Sequence, residues 1–313
     1  MSAISPPSNT RRLLASIASA VFLLALGAVP PTPIALDLLG WSVTLDSGSG
    51  PALTPSPSLL VSPNSGAWSA LANNGLNGEV KALAVIGSDL YVGGEFTQTD
   101  DRAITLNYIA KYSNGTWSAL ANNGLNFGVQ ALAVSGNDLY VGGGFSQTAD
   151  GTITNLNHIA KYSNGAWSAF PNNGLNMPVY ALAVMGSNLY VGGLFTQTAD
   201  GVITLNSIAK HSNGAWSALA NNGMNPGVST IAVSGSDLYV GGYFWETGDH
   251  TMTLNRIAKY SDDAWSALAN GGLVYQPFAI AVNGSDGTAR KTWSYVAGIN
   301  TSLFLPLKKP AWR

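Results

Sequence analysis

Apolar residues along this chain occur in short runs that are separated by turn residues and by longer polar segments. In the first clear period, VKALAV (80–85) and LYVGGEF (90–96) flank the turn segment GSD, and Asn-Gly joins YIAKYS (108–113) to TWSAL (116–120). Asn-Gly between two apolar runs is a strong hairpin signal. The apolar spacing of three and four that an amphipathic helix needs is missing. The pattern therefore predicts four short antiparallel strands per period.

The period repeats along most of the chain. Trp68, Trp117, Trp167, Trp216 and Trp265 are separated by 49, 50, 49 and 49 residues. A fixed period of this length indicates a repeat architecture, and four antiparallel strands per period are typical of a β-propeller blade. The predicted fold class is therefore all-β, a β-propeller of four-stranded blades.

The two ends of the repeat region predict how the ring closes. LVSPNSGAW (60–68) matches the third and fourth strands of a blade, whereas AIAVNGSD (279–286) and YVAGINT (295–301) match the first and second. Strands from both termini would complete a fifth blade and leave no open sheet edge. An open ring with a decayed C-terminal remnant is the alternative.

A glycine pair follows the second apolar run of each period, and a spaced tyrosine and tryptophan come after it. The glycine pairs are Gly93–Gly94, Gly142–Gly143, Gly192–Gly193 and Gly241–Gly242. The aromatic pairs are Tyr112/Trp117, Tyr162/Trp167 and Tyr260/Trp265, with His211 before Trp216 in the third copy. This pattern resembles the kelch family of propellers. It is also similar to secreted bacterial repeat proteins that carry LYVGG…F, IAK and W, and to fungal cell-surface polarity markers. The resemblance implies a binding platform or scaffold.

The repeated residues themselves have a structural explanation. Glycine inside a strand indicates close approach of another backbone, so the glycine pairs allow neighbouring blades to crowd near the axis. The tryptophans are large enough to fill the wider space between blades further out. Repetition of these residues therefore predicts architecture before it predicts activity.

The N-terminal segment predicts export. Arg11 and Arg12 precede the apolar run 13–29, as in a signal peptide, although an uncleaved N-terminal anchor has the same pattern. The predicted organisation is a signal peptide or anchor (1–29), a Pro/Ser-rich linker (30–58), the propeller (59–301) and a tail (302–313). The predicted location is secreted or cell surface, in a bacterium, with membrane contact only through an uncleaved N-terminal segment.

Composition limits the chemistry that is available. The chain has no cysteine, which excludes disulfides, thiolate metal sites and the cross-linked cofactor of kelch-like copper oxidases. Its net charge is −2 and charged residues make up 10%, so no basic surface for nucleic acid is expected.

The longer loops of each period carry the candidate binding residues. In a propeller, the loops after the second and fourth strands lie on one face, so TQTADG-like and NNGLN-like segments should meet there. The candidate ligand-binding residues are Asn74, Asn77, Asp101, Asn123, Asn126, Asp150, Asn173, Asn176, Asp200, Asn222, Asn225, Trp245 and Asp249. Amides and hydroxyls suit sugar hydroxyls, but turn chemistry explains the same asparagines. Calcium is the one cofactor that these carboxylates bring into consideration, and none is otherwise expected.

The copies differ at a few positions, where a specific ligand site would be shaped. Before the IAK segment stand Tyr108, His158, Ser207 and Arg256; after the glycine pair stand Glu95, Gly144, Leu194 and Tyr243; early in the first strand stand Lys81, Gln130, Tyr180 and Ser229. Drift at tolerant positions explains these differences equally well.

Enzyme signatures are weak in this chain. The three histidines occupy different positions of the period, and FWETGDH (244–250), with Trp245, Glu246 and His250, is the one segment with singular polar residues. The predicted function is a non-catalytic exported binding module for an extracellular glycan or partner protein. The alternatives are a purely structural surface repeat and a propeller hydrolase or lyase that uses loop carboxylates.

Overall fold

The computed structural model describes residues 70–268 and 271–282, together with the backbone of four strands at 35–38, 41–46, 50–55 and 294–297. Every strand pair in this described part is antiparallel, and the described helical segments are 3-10 turns. The all-β prediction is therefore confirmed. Within the same residues, no helix has the length and apolar character needed to span a bilayer.

The strands are numbered in chain order. An N-terminal sheet contains β1 (Ala35–Leu38), β2 (Trp41–Asp46) and β3 (Gly50–Pro55). Sheet 1 contains β4 (Val80–Ile86), β5 (Asp89–Gly94), β6 (Ile109–Ser113) and β7 (Thr116–Ala119). Sheet 2 contains β8 (Val129–Ser135), β9 (Asp138–Gly143), β10 (Ile159–Ser163) and β11 (Ala166–Ala169).

The later elements repeat this order. Sheet 3 contains β12 (Val179–Met185), β13 (Asn188–Gly193), β14 (Ile208–Ser212) and β15 (Ala215–Ala218). Sheet 4 contains β17 (Val228–Ser234), β18 (Asp237–Gly242), β20 (Ile257–Ser261) and β21 (Ala264–Ala267). Two short strands, β16 (Met224–Asn225) and β19 (Glu246–Thr247), pair beside it, and β22 (Ala279–Val282) pairs with β23 (Ser294–Ala297). The 3-10 turns are Ala72–Asn74, Ala121–Asn123, Pro171–Asn173 and Ala220–Asn222.

Sheets 1 to 4 each have the sequential order of a four-stranded meander. The first strand of each sheet packs against the first strand of the next, from β4 to β8, β12, β17 and β22. Serial face-to-face packing of such meanders is the arrangement of β-propeller blades. The fold is therefore a β-propeller repeat.

The C-terminal strands extend the series. β22 pairs with β23 so that Ala279 faces Ala297, the same register that places Ala82 opposite Gly93 in sheet 1. The predicted first two strands of a fifth blade are thus present. Their predicted partners at 60–68 lie outside the described residues, so closure of a five-bladed ring stays a prediction.

The two glycines of each pair are needed for different reasons. A Cβ atom on Gly192 would lie 2.4 Å from Cγ1 of Val228 in the next sheet, and Gly93 and Gly142 face Val129 and Val179 at the same distance. A Cβ atom on Gly193 would instead lie 2.3 Å from the carbonyl oxygen of Pro178, at the entrance to its own sheet. The first glycine therefore permits blade-to-blade contact, as expected, whereas the second permits a bulge within its own sheet.

The tryptophans connect neighbouring repeats. Trp167 is buried, and its Nε1 donates to the carbonyl oxygen of Ala121, in the turn that leads from sheet 1 into sheet 2, at 2.9 Å. Trp117, Trp216 and Trp265 make the equivalent bond to Ala72, Pro171 and Ala220. Further inside, Phe96, Phe145, Phe195 and Phe244 are fully buried. The predicted structural role is confirmed for these four tryptophans, and Trp68 lies outside the described residues.

The described strands do not test the predicted domain boundaries. Residues 1–29 and 302–313 lie outside the described part, as does most of 283–301. The range 30–58, interpreted as a linker, contains the backbone pairing of β1, β2 and β3. The domain boundaries stay predictions.

Candidate functional site

The two long loops of each repeat meet, as the propeller topology predicts. Asn73 in the first 3-10 turn donates from Nδ2 to Oδ2 of Asp101, in the loop between β5 and β6, at 2.8 Å. The backbone reinforces this contact, because the N–H of Asp100 donates to the carbonyl oxygen of Gly75 at 3.1 Å. We call the surface formed by these turns and loops the long-loop face. The tight hairpins lie at the opposite ends of the strands.

The predicted loop carboxylates are occupied by their own loops. Oδ1 of Asp101 accepts from the hydroxyl of Thr99 at 2.6 Å and from the N–H of Ala103 at 3.0 Å. The equivalent Thr–Asp bonds join Thr148 to Asp150, Thr198 to Asp200 and Thr247 to Asp249. These four threonines are fully buried. The carboxylates therefore stabilise the loop conformation in every repeat.

The same hydrogen bonds set the charge of these loops. The Thr99 hydroxyl and the Ala103 N–H hold the pKa of Asp101 below its usual value. The Asn122 amide, followed by the Thr152 N–H, lowers the pKa of Asp150 further. Donors to a carboxylate favour its charged form. The loop aspartates are thus anions at neutral pH.

A second asparagine in each repeat also acts within the loop. Oδ1 of Asn77 accepts from the N–H groups of Thr97 and Gln98 at 2.9 and 3.1 Å, and its Nδ2 donates to Thr97 Oγ1 at 3.1 Å. Asn126 and Asn176 make the same three bonds to their loops. Turn chemistry therefore accounts for these candidate residues.

A third asparagine in each repeat has its side chain free. Asn74, Asn123, Asn173 and Asn222 are exposed, and within the described residues their side chains have no hydrogen-bond partner. All four adopt positive φ angles of 57° to 61°. Their backbone conformation explains why asparagine is suited to the turn, but it leaves the amide groups available to a ligand.

The described residues contain no group of three or more histidine or acidic side chains that could hold a metal ion. A calcium ion at a loop aspartate would have to compete with the hydroxyl, amide and N–H donors already bonded to that carboxylate. Calcium binding stays a prediction.

The fourth long loop departs from the others. Trp245 replaces the hydroxyl residue that accepts from the loop asparagine in sheets 1 to 3, and its side chain is 49% exposed. Asn225 consequently keeps one weak side-chain bond, from Nδ2 to Glu246 Oε1 at 3.4 Å. Glu246 Oε1 also pairs with Nδ1 of His250 at 2.6 Å. The structure therefore brings together the singular polar residues of segment 244–250.

The positions that differ among repeats lie where neighbouring sheets meet. The register of each first strand shifts at one residue, and the bulged residues are Lys81, Gln130, Tyr180 and Ser229. Gln130 Nε2 donates to Glu95 Oε1 of the preceding sheet at 2.7 Å. Bulges redirect side chains and are frequent near binding sites. We number the interfaces first, second and third, between sheets 1–2, 2–3 and 3–4.

The first interface is filled by aromatic rings. Tyr108 stacks on Phe127 with ring centroids 6.2 Å apart and planes 24° apart. Phe127 also covers Gly144, whose added Cβ would lie 2.7 Å from Phe127 Cδ1. Phe127 is nevertheless 56% exposed, and Met177, at the equivalent place in the second interface, is 44% exposed. Sequence reasoning missed these two residues, although a large apolar residue directly after Asn126 and Asn176 was a visible signal.

The third interface instead contains a cleft of about 290 Å³. Ser207 stands where Tyr108 stands in the first interface, and Pro226 stands in the place of Phe127. The cleft is lined by these two residues, by Leu194, Met224 and Asn225, and by His250 of the singular loop, among others. Of the thirteen candidate ligand-binding residues, Asn225 is the one that lines this cleft. The cleft could be recognised only in the tertiary structure.

Comparisons with known proteins are limited in extent. No family model matches the chain. A segment of 41 residues, 13% of this chain, is 58% identical to the polarized growth protein rax2 of Schizosaccharomyces pombe. That segment covers only 4% of rax2.

Three solved structures match parts of this chain at low sequence identity and low TM-score. The computationally designed Ika4 protein is 15% identical, with a TM-score of 0.35, over 62% of this chain and 98% of its own. The designed Ika8 protein is 12% identical, with a TM-score of 0.27, over 66% and 92%. The WD40 β-propeller domain of Doa1 is 9% identical, with a TM-score of 0.31, over 66% and 87%.

Proposed function

We propose that this chain is a non-catalytic binding module, exported by its N-terminal segment, that holds an extracellular glycan or partner protein on the long-loop face of a kelch-like, five-bladed propeller. The observation that carries the proposal is that some loop asparagines bond to their own loops while others leave their amides unpaired. Those at the positions of Asn73 and Asn77 maintain the loops, whereas Asn74, Asn123, Asn173 and Asn222 present exposed amides without partners. Free amides offer both donors and acceptors to a ligand.

Apolar surface on the same face adds to this support. Phe127 and Met177 each follow a loop asparagine and are about half exposed. Exposed aromatic and methionine side chains beside unpaired polar groups are typical of interaction surfaces. The proposal assigns no catalysis, because the loop carboxylates already accept hydrogen bonds from their own loops.

The test compares the two faces of the propeller. In one variant, glycine replaces all four asparagines with free amides: Asn74, Asn123, Asn173 and Asn222. The fold accepts glycine at this place, because Gly271 stands at the equivalent position of the next repeat and also has a positive φ. In the control, the hairpin residues Asn114, Asn164 and Asn213, also exposed and of positive φ, are replaced by glycine. Glycine tolerates a positive φ, so both variants keep the backbone conformation of the replaced residues. The two variants differ in which face of the propeller loses its side-chain amides.

The purified full chain and both variants are applied to a glycan array and to a cell-surface protein extract, with and without calcium. We expect binding by the natural chain and the hairpin variant, and loss of binding by the loop variant. Binding that survives in the loop variant would contradict the use of these amides. A folded natural chain that binds nothing in any condition would favour the purely structural alternative.

A further inference from the structure

We propose that the cleft at the third interface is a subsite for a single sugar ring of a neutral glycan. This inference rests on the proposed function and names one site and one ligand class for it. The cleft volume, about 290 Å³, is near the lower end for small-molecule sites, so it suits one ring rather than an extended ligand.

The strongest evidence is a hydroxyl at the cleft wall that no protein group uses. Ser207 lines the cleft and is 5% exposed, yet within the described residues its hydroxyl makes no hydrogen bond. Its backbone groups are satisfied, since its N–H donates to Phe195 and its carbonyl oxygen accepts from Gly193. A hydroxyl on the cleft wall whose donor and acceptor functions are both unused is available to a ligand.

Asn225 provides a second unused group. In sheets 1 to 3, the equivalent asparagine makes three bonds to its loop, but Trp245 has removed the hydroxyl acceptor in sheet 4. The side chain of Asn225 keeps one bond of 3.4 Å to Glu246 and lines the cleft. Its amide can therefore donate to and accept from adjacent hydroxyls of a sugar.

The remaining lining favours an uncharged ring. Leu194, Met224 and Pro226 contribute apolar surface, which suits the C–H face of a pyranose. The cleft's ionisable residue, His250, has its Nδ1 engaged by Glu246 at 2.6 Å, and the lining contains no lysine or arginine to bind a phosphate or a carboxylate. Hydroxyl, amide and imidazole groups around an apolar floor match the alternating polar edge and apolar face of a sugar.

The decisive variant fills the cleft with a residue that the repeat already accepts. Ser207→Tyr introduces the residue of the first interface, and Ser207 and Tyr108 share positive φ angles of 64° and 68°. His158→Tyr makes the same change at the second interface, where φ is 71°. His250→Gly removes the imidazole from the cleft wall, and Gly151 and Gly201 occupy its place in sheets 2 and 3.

Binding is measured by saturation-transfer difference NMR and calorimetry on the full chain, with methyl glycosides of glucose, galactose, mannose and N-acetylglucosamine as probes. N-acetyl amino-acid amides, as mimics of peptide side chains, are the comparison probes. We expect one or more glycosides to bind, with affinity at least about tenfold weaker in Ser207→Tyr and unchanged in His158→Tyr. Loss of one hydrogen bond in His250→Gly should weaken binding about fivefold.

Each result decides between the site and the broader function. Glycoside binding that Ser207→Tyr and His250→Gly leave unchanged would overturn the subsite while the binding function stands. Binding of the amino-acid amides alone would overturn the sugar and indicate a peptide ligand. Absence of binding to all probes, with array or extract binding retained, would also overturn the subsite. If Ser207→Tyr does not fold, His250→Gly decides the question, because glycine suits its φ of 61°.

Discussion

The first and third interfaces have the same supporting structure and different contents. In both, the first glycine of the pair would place a Cβ atom 2.4 Å from a valine of the next sheet. In the first interface, Tyr108 and Phe127 stack over that contact, whereas Ser207 and Pro226 leave a cleft in the third. The difference shows that the repeat can change what lies between two blades without changing how far apart the blades are.

The variable positions can tolerate this change because of where they lie. Tyr108, His158, Ser207 and Arg256 follow an asparagine and share a positive φ near 64° to 71°, so the backbone there does not depend on the side chain. The neighbouring variable position is a β-bulge in each first strand. Residues at such positions can be exchanged with little effect on the sheets, which makes the interfaces suited to specialised binding.

The largest effect is expected from the shared glycine contact. Gly93→Ala and Gly192→Ala should each lower the free energy of unfolding by about 3 kcal/mol, because the new methyl group would overlap a buried valine. Urea unfolding measures both. Thr116→Ala is the control, since Ala166 occupies that exposed place in sheet 2, and its effect should stay within about 0.5 kcal/mol. Unequal losses at Gly93 and Gly192 would mean that the two interfaces differ in spacing as well as in filling.

A smaller loss is expected when the link between repeats is cut. Trp167→Phe and Trp216→Phe should each cost about 2 kcal/mol, because each leaves a carbonyl oxygen without its Nε1 donor and removes buried volume. Thermal and urea unfolding measure the loss. Trp245→Phe is the matched control, since this half-exposed tryptophan makes no side-chain hydrogen bond in the described part. A comparable loss in Trp245→Phe would show that ring size, and not the link, decides stability.

Acid should weaken the long loops of all four sheets. The loop aspartates have pKa values held below their usual 3.8, first by Thr99 for Asp101 and by Thr198 for Asp200. Because the folded-state pKa is lower than the unfolded one, their stabilisation is complete above about pH 4 and is lost as pH falls below it. The melting temperature, followed by circular dichroism from pH 6 to pH 2, should therefore drop by a few degrees. Asp101→Asn and Asp200→Asn should reduce this dependence equally, and a difference would locate an asymmetry in the loops.

The smallest effect concerns sheet 3, where His211 stands at the place that a tyrosine occupies in sheets 1, 2 and 4. In sheet 2, the N–H of Ala121 donates to the hydroxyl of Tyr162 at 3.5 Å. In sheet 3, Pro171 replaces the alanine and His211 replaces the tyrosine, and proline has no N–H to donate. His211→Tyr should gain stability only when Pro171→Ala is also present. A double-mutant cycle should give a coupling of about 0.5–1 kcal/mol. Additive effects would show that the two replacements in sheet 3 are unrelated.

The local pattern was sufficient to predict the repeated strands. Alternation of apolar runs with turn residues, among them Gly-Ser and Asn-Gly, predicted the four strands of each period, since hairpin geometry depends on residues adjacent in sequence. The pattern was also sufficient to predict that the long loops meet. It could not separate the asparagines that maintain the loops from those with free amides, because that depends on which donors face which acceptors across 20 to 30 positions of chain.

What the sequence by itself determined is the repeating architecture: the strand order and the turns, which follow from short-range preferences repeated at a fixed period. What only the tertiary structure decided is the content of each interface. Ser207 and Pro226 are 19 positions apart, and neither is unusual alone. They produce a cleft because packing of sheet 3 on sheet 4 brings two small residues to a place where the first interface holds two rings. The free volume between two packed sheets depends on residues from several strands, so no single segment of the chain predicts it.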